Sequence, residues 1–292
     1  MKTDDHDERI ARSLESIARS LAVLSGRDPD GAPSLTDASA YLWHAADARL
    51  APVEKVNRVE LRLLKGIDRV ADLLVQNTLQ FARGNGANNA LLWGARGMGK
   101  SSLVKAVHAE VAGRRDPALH RLVLIEVNRE DIETLPALLH ALAALSARFV
   151  VFCDDLTFDR GEASYRSLKT ILDGGLQGRP ANTLFYATSN RRHLMPREMI
   201  ENEQSTAINP GEAVEDKISL SDRFGLWLGF HQCDQATYLD IVESYLAHFG
   251  IAMPKQEMRA RAIEWAAARA ARSGRVAIQF VRQIAGEKGQ SV

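Results

Sequence analysis

An α/β fold built on a mostly parallel sheet is the architecture the sequence predicts, and three observations carry it. Short apolar runs at residues 90–93, 121–127, 149–153 and 183–188 are continuous rather than alternating, as strands covered on both faces must be. Helical patterns at 100–112, 135–145 and 164–172 separate them, giving βαβ repetition. After Gly229 the strand signals stop, and three helical stretches, 236–249, 256–272 and 276–285, predict a small all-α C-terminal unit.

The N-terminal part reads differently. Ile10, Leu14, Ile17, Leu21 and Leu24 recur at steps of four and three, a narrow a/d stripe that suits a helix packed on its own protein or on a partner. Residues 25–34 hold Gly26, Pro29, Gly31 and Pro33 and read as a linker. A second helical region is expected at 36–83, interrupted at Pro52. The resulting division is a helical arm and linker at 1–55, an α/β core at 56–230 and a helical unit at 231–292. Residues 195–215, polar and containing Pro196 and Pro210, form the longest loop candidate.

Bulk properties bound the rest. The 292 residues carry a formal net charge of zero, so the whole chain has no electrostatic reason to coat nucleic acid or acidic lipid. Two isolated cysteines, Cys153 and Cys233, form neither a disulfide framework nor a zinc motif. No stretch of about 18 apolar residues is present for a membrane span, and the acidic N-terminus is unlike a secretory signal. A cytoplasmic location is the expectation.

Residues Gly94-Ala95-Arg96-Gly97-Met98-Gly99-Lys100-Ser101 fit the pattern GxxxxGK[ST] between an apolar strand and a helix. Glycines let a backbone wrap phosphates with its N–H groups turned inward. Lys100 is placed to reach the β- and γ-phosphates, and the Ser101 hydroxyl to ligate Mg²⁺. The helix that begins here, with Ser102 in its first turn, offers its positive end to the anion. A second strand, Phe149-Val-Val-Phe-Cys153, runs into Asp154-Asp155. An apolar strand ending in acids is the Walker B pattern. Asp154 is then a Mg²⁺ holder, and Asp155 occupies the position of the acid that polarises an attacking water.

Further along come Asn190 at the end of strand 183–188, the run Ser221-Asp222-Arg223-Phe224-Gly225, and Gly274-Arg275 before an apolar helix. Alone, Asn190 suits a turn cap, Arg223 a surface ion pair and Arg275 a helix-start charge. In this order, with both Walker elements, they resemble the parts of an AAA+ ATPase over residues 56–285. The resemblance implies sensor 1 at Asn190, sensor 2 at Arg275 and, from a RuvB-like segment, an arginine finger at Arg223 acting on a neighbouring subunit. It also implies an adenine contact before the P-loop, where Ile67 is the candidate, although that residue equally suits plain core. The lead Asn88-Asn-Ala-Leu-Leu-Trp-Gly94 and the run Cys153-Asp-Asp-Leu156 are similar to a bacterial AAA+ group catalogued as a domain of unknown function.

The expected function is an ATP hydrolase with ATP and Mg²⁺ as ligands, a nucleotide-dependent homo-oligomer that assembles or remodels an unknown protein client. Asp155 is one methylene shorter than the usual glutamate. That keeps a second class open, a binding module switched by ATP with negligible turnover. The stretch 128–134 lacks the aromatic-hydrophobic-glycine loop of polypeptide-threading members. A DNA-linked loader or recombination ATPase is a third reading, resting on the lid residues Lys255, Arg259, Arg261, Arg269, Arg272 and Arg275.

Overall fold

A computed structural model describes residues 35–158, 163–173, 179–192, 194, 220 and 222–291. The helix expected at 8–24 and the loop at 195–215 lie outside the described residues.

Seven strands form one sheet: β1 Ala40–His44, β2 Arg49–Pro52, β3 Ala90–Gly94, β4 Leu122–Glu126, β5 Arg148–Cys153, β6 Thr183–Ser189 and β7 Leu226–Phe230. Their order is β2-β1-β4-β5-β6-β3-β7. All neighbours run parallel except the β1–β2 hairpin. Seven α-helices accompany them among the described residues: α1 Asp68–Ala82, α2 Lys100–Ala112, α3 Leu135–Ala143, α4 Ala163–Asp173, α5 Gln235–His248, α6 Lys255–Ala268 and α7 Gly274–Glu287.

Successive strand residues point to opposite faces, and here both faces are dry. Leu92, Leu124, Val150, Phe152, Leu184 and Tyr186 join one core with α1, α2 and the three C-terminal helices. Leu91, Val123, Phe149, Val151, Phe185 and Ala187 join the other, with α3 and α4. This is why these four strands read as unbroken apolar runs. The C-terminal helices have side-chain caps at two starts. Asp234 accepts from the Thr237 amide at 2.7 Å, and Ser273 from the Val276 amide at 3.3 Å. Both cysteine thiols are buried, and burial pushes Cys153 up to about 12 and Cys233 up to about 11.

The helix expected at 36–83 is only partly there. Helix α1 occupies its second half, but residues 40–44 and 49–52 are strands that extend the sheet beyond β4. The override is tertiary. Tyr41 and Trp43, two apart, both face the α3 core, and β1 pairs with β4 from Ala40↔Leu124 to Leu42↔Glu126. Ala48, with φ 47°, turns the hairpin back. Only one side of β1 is well covered, since Leu42 keeps 41% of its surface exposed. Strand β7 also went unread, because its five residues include Gly229, a residue poor in strands.

Trp43 is 3% exposed and its indole N–H donates to Thr134 Oγ1 at 2.8 Å. Trp43→Ala is therefore expected to cost about 3–5 kcal/mol of unfolding free energy, measured by urea denaturation. A loss under 1 kcal/mol would show that the hairpin is an appendage and no part of the cooperative fold.

Candidate nucleotide site

The site is built where β3, β5 and β6 end together. Strand β3 stops at Gly94 and the chain loops through Gly97 and Gly99, both with positive φ (74° and 90°), into helix α2 at Lys100. Backbone amides at a helix start have no intrahelical acceptors and collect the positive end of the helix dipole. The loop thus encloses an anion-binding hollow.

Lys100 is only 7% exposed. Its ammonium donates to Gly94 O at 2.8 Å, Ala95 O at 2.9 Å and Asn190 Oδ1 at 3.1 Å. All three donor hydrogens are therefore satisfied. Burial holds its pKa below the usual lysine value, opposed by the carboxylates of Asp155 and Asp154 and assisted by Arg275 and Arg96. The Lys100–Asn190 bond ties the P-loop to the tip of β6.

The acids at the end of β5 are held by the same strand. Thr188 Oγ1 donates to Asp154 Oδ1 and accepts from the Asp155 amide at 2.9 Å. Ser101 Oγ donates to Asp154 Oδ1 at 2.5 Å. Asp155 sits in the left-handed region, φ 51°, a conformation that aspartate tolerates better than most residues. Its carboxylate accepts from Asn190 Nδ2. Asn190 thus spans Lys100 with its carbonyl and Asp155 with its amide.

A cavity of about 600 Å³ opens over this network. Arg96 to Ser102, Asp154, Asp155, Asn190 and Arg275 line its polar end. Ile67, 7% exposed, joins Leu63, Ile241, Tyr245 and Ile278 at the apolar end. Gly94 and Ala95 stand behind the loop and contribute their carbonyls to Lys100. The lid closes on the loop directly: the Arg275 amide donates to Gly97 O at 3.2 Å. Arg223 is not among the lining residues, and its guanidinium pairs with Asp173 of α4.

Several lining residues escaped the sequence reading. Thr188 lies on β6 two positions before Asn190, which follows the strand's last residue, and both line the cavity. Arg282 lies seven positions after Arg275 on α7 and also lines the cavity, a spacing of two helical turns. Tyr245 and Ile241 are a 3.6-period pair on α5, indistinguishable in sequence from ordinary core positions.

Mg²⁺ is the metal that such a loop implies. The oxygen-only pair of the Ser101 hydroxyl and the Asp154 carboxylate fits a hard cation that completes its shell with phosphate oxygens and water. No group of three or more His, Cys, Asp or Glu gathers for a metal among the described residues, so the fit is to a nucleotide-borne ion and not to a protein-made cage.

A parallel sheet with this P-loop, paired acids, a polar strand tip and a helical lid defines an AAA+ P-loop ATPase fold. Residues 36–288 match the family model described as protein of unknown function (DUF815), and the chain belongs to that family. No curated protein matches it in sequence. Among solved structures it is similar to the Aeropyrum pernix ORC1 protein in complex with DNA, at 16% identity and a TM-score of 0.56. That match covers 78% of this chain and 65% of the other, just under two thirds. It is also similar to the Thermotoga maritima RuvB Holliday junction branch migration motor (14% identity, 76% and 71% covered, TM-score 0.45). A third is the Aeropyrum pernix ORC2 protein in ADPNP–ADP complexes (14%, 78% and 70%, TM-score 0.47). The ORC1 likeness establishes the fold.

A Cβ added at Gly97 would lie 2.9 Å from Ser273 Oγ and 3.2 Å from Arg275 Cβ, at a φ unsuited to other residues. Gly97→Ala is expected to cost about 1 kcal/mol or more, read by chemical denaturation, and to lower affinity for a non-hydrolysable ATP analogue in calorimetry. Wild-type values for both would refute the tight lid-to-loop contact.

Proposed function

We propose that this protein binds Mg²⁺-ATP in the cavity beneath its lid and hydrolyses it at interfaces between copies of itself, using turnover to assemble or remodel a partner protein. The observation that carries the reading is the Asn190 bridge. One side chain touches both the phosphate-seeking Lys100 and the water-polarising candidate Asp155.

In this reading the triphosphate lies along the loop amides. Lys100 exchanges its carbonyl and Asn190 acceptors for phosphate oxygens. Asp154 and Ser101 would hold Mg²⁺, which would supply charge neutralisation at the β- and γ-phosphates. Asp155 accepts a proton from water approaching the γ-phosphate, and Asn190 fixes that water. Arg275 reaches the γ-phosphate from the lid, and Ile67 packs on the base. Arg223 lies outside its own cavity, which suits a group that stabilises charge in a neighbour's site.

A binding module with negligible turnover is the second reading. It draws on Asp155, whose short carboxylate is engaged by Asn190. DNA-linked loading has weaker support. Three of the lid cations are occupied within the chain: Lys255 pairs with Glu243, Arg261 with Glu257 and Glu287, and Arg269 stacks on Trp265 at 3.4 Å.

Turnover per subunit should rise with protein concentration, and adding single- or double-stranded DNA tests the loader reading. Lys100→Ala should abolish measurable ATP binding in calorimetry. Arg223→Ala should keep the affinity but lose about 10³-fold or more in turnover. Mixtures of the two variants should recover part of the activity, because an intact site and an intact finger then meet at one interface. Flat, negligible turnover at every concentration, with tight ATP binding, would replace hydrolysis by the switch reading.

A further inference from the structure

Asp173, on helix α4, meets Arg223: its Oδ1 accepts from Nε of the guanidinium. The bond runs through Nε, so the outer edge of the fork, formed by the two Nη groups, is not used by this pair. The neighbouring backbone is already fixed. Phe224 is 2% exposed, its ring 6.2 Å from that of Phe185 on β6, and the Arg223 amide donates to Leu220 O at 3.3 Å. The long Arg223 side chain is 23% exposed, and the contact with Asp173, 42% exposed, sets the direction of its guanidinium.

We infer that Asp173 is a positioning residue for the interface arginine: it grips Arg223 by Nε and presents the two Nη amines to the γ-phosphate of a neighbouring subunit. This rests on the trans role given to Arg223 under the proposed function and adds the group that makes the role effective. An arginine oriented before the subunits meet loses little rotamer freedom at the moment of reaction. The pair sits at the surface, so the effect belongs to geometry more than to binding strength. The phosphate need not displace the carboxylate, because the two use different edges of one planar fork.

The test is steady-state ATP turnover of the full-length chain as Asp173→Asn, Asp173→Glu, Arg223→Lys and the double variant Asp173→Asn/Arg223→Lys. Asp173→Asn should lower kcat by about five- to tenfold, a loss of orientation, with KM for ATP and the assembly concentration unchanged. Asp173→Glu, which keeps the charge, should recover part of the loss. Arg223→Lys has no Nε–Nη fork, so adding Asp173→Asn to it should change kcat little, a non-additive cycle. Circular dichroism and affinity for an ATP analogue separate these effects from a damaged helix, and Asp173→Ser replaces Asn if the latter misfolds. Higher turnover in Asp173→Asn would overturn the proposal and mark the pair as a restraint on the finger. An equal loss in the wild-type and Arg223→Lys backgrounds would overturn it too, as would no loss at all. If Arg223→Ala turns over like wild type, the interface reading itself falls, and the role of Asp173 falls with it.

Discussion

A lysine ammonium buried among carbonyls organises this molecule. Lys100 is nearly buried at the wall of the cavity, and its three hydrogens find oxygen within the protein at Gly94, Ala95 and Asn190. The acids near it keep the region close to electrical balance, and Thr188 and Ser101 hold those acids in turn. Strand order brings these groups together. Strand β6 lies between β3 and β5, so its tip meets both the phosphate loop and the paired acids. The resting network is a set of hydrogen bonds that phosphate oxygens could replace group for group.

The helical lid completes the hollow by contact with the loop itself. Ser273 serves twice: its hydroxyl caps α7, and it is the side chain nearest to Gly97. The amide of Arg275, two residues on, bonds the loop carbonyl. The loop and the start of α7 are thus in direct contact, and Arg282, two turns further along α7, lines the same cavity.

Much of this was legible in the residues. The glycine-rich turn, the acids after β5 and the polar end of β6 are local signals, because the chemistry needs particular residue types at fixed spacing. The helices of the lid showed through their helical patterns. What stayed hidden depends on non-local pairing. Strand β1 is written Ala-Tyr-Leu-Trp-His, and only the pairing with β4 and the cover of α3 make it a strand. Strand β7 carries Gly229 because a Cβ there would stand 3.0 Å from Trp93 Cζ2 on β3, a constraint invisible until the two strands are neighbours. Thr188 and Arg282 were readable only by period, once Asn190 and Arg275 had been placed on their elements.

The hairpin at the far edge has a consequence for how copies of this chain can meet. Without β1 and β2 the sheet would end at β4, a five-residue apolar strand whose open backbone groups could template another chain. With them it ends, among the described residues, at a four-residue strand that finishes in Pro52, which has no N–H to donate. That margin is a poor seed for ladder growth, so aggregation through this side of the sheet is blunted. Ordered contacts between copies are left to side chains rather than to continuous backbone pairing there.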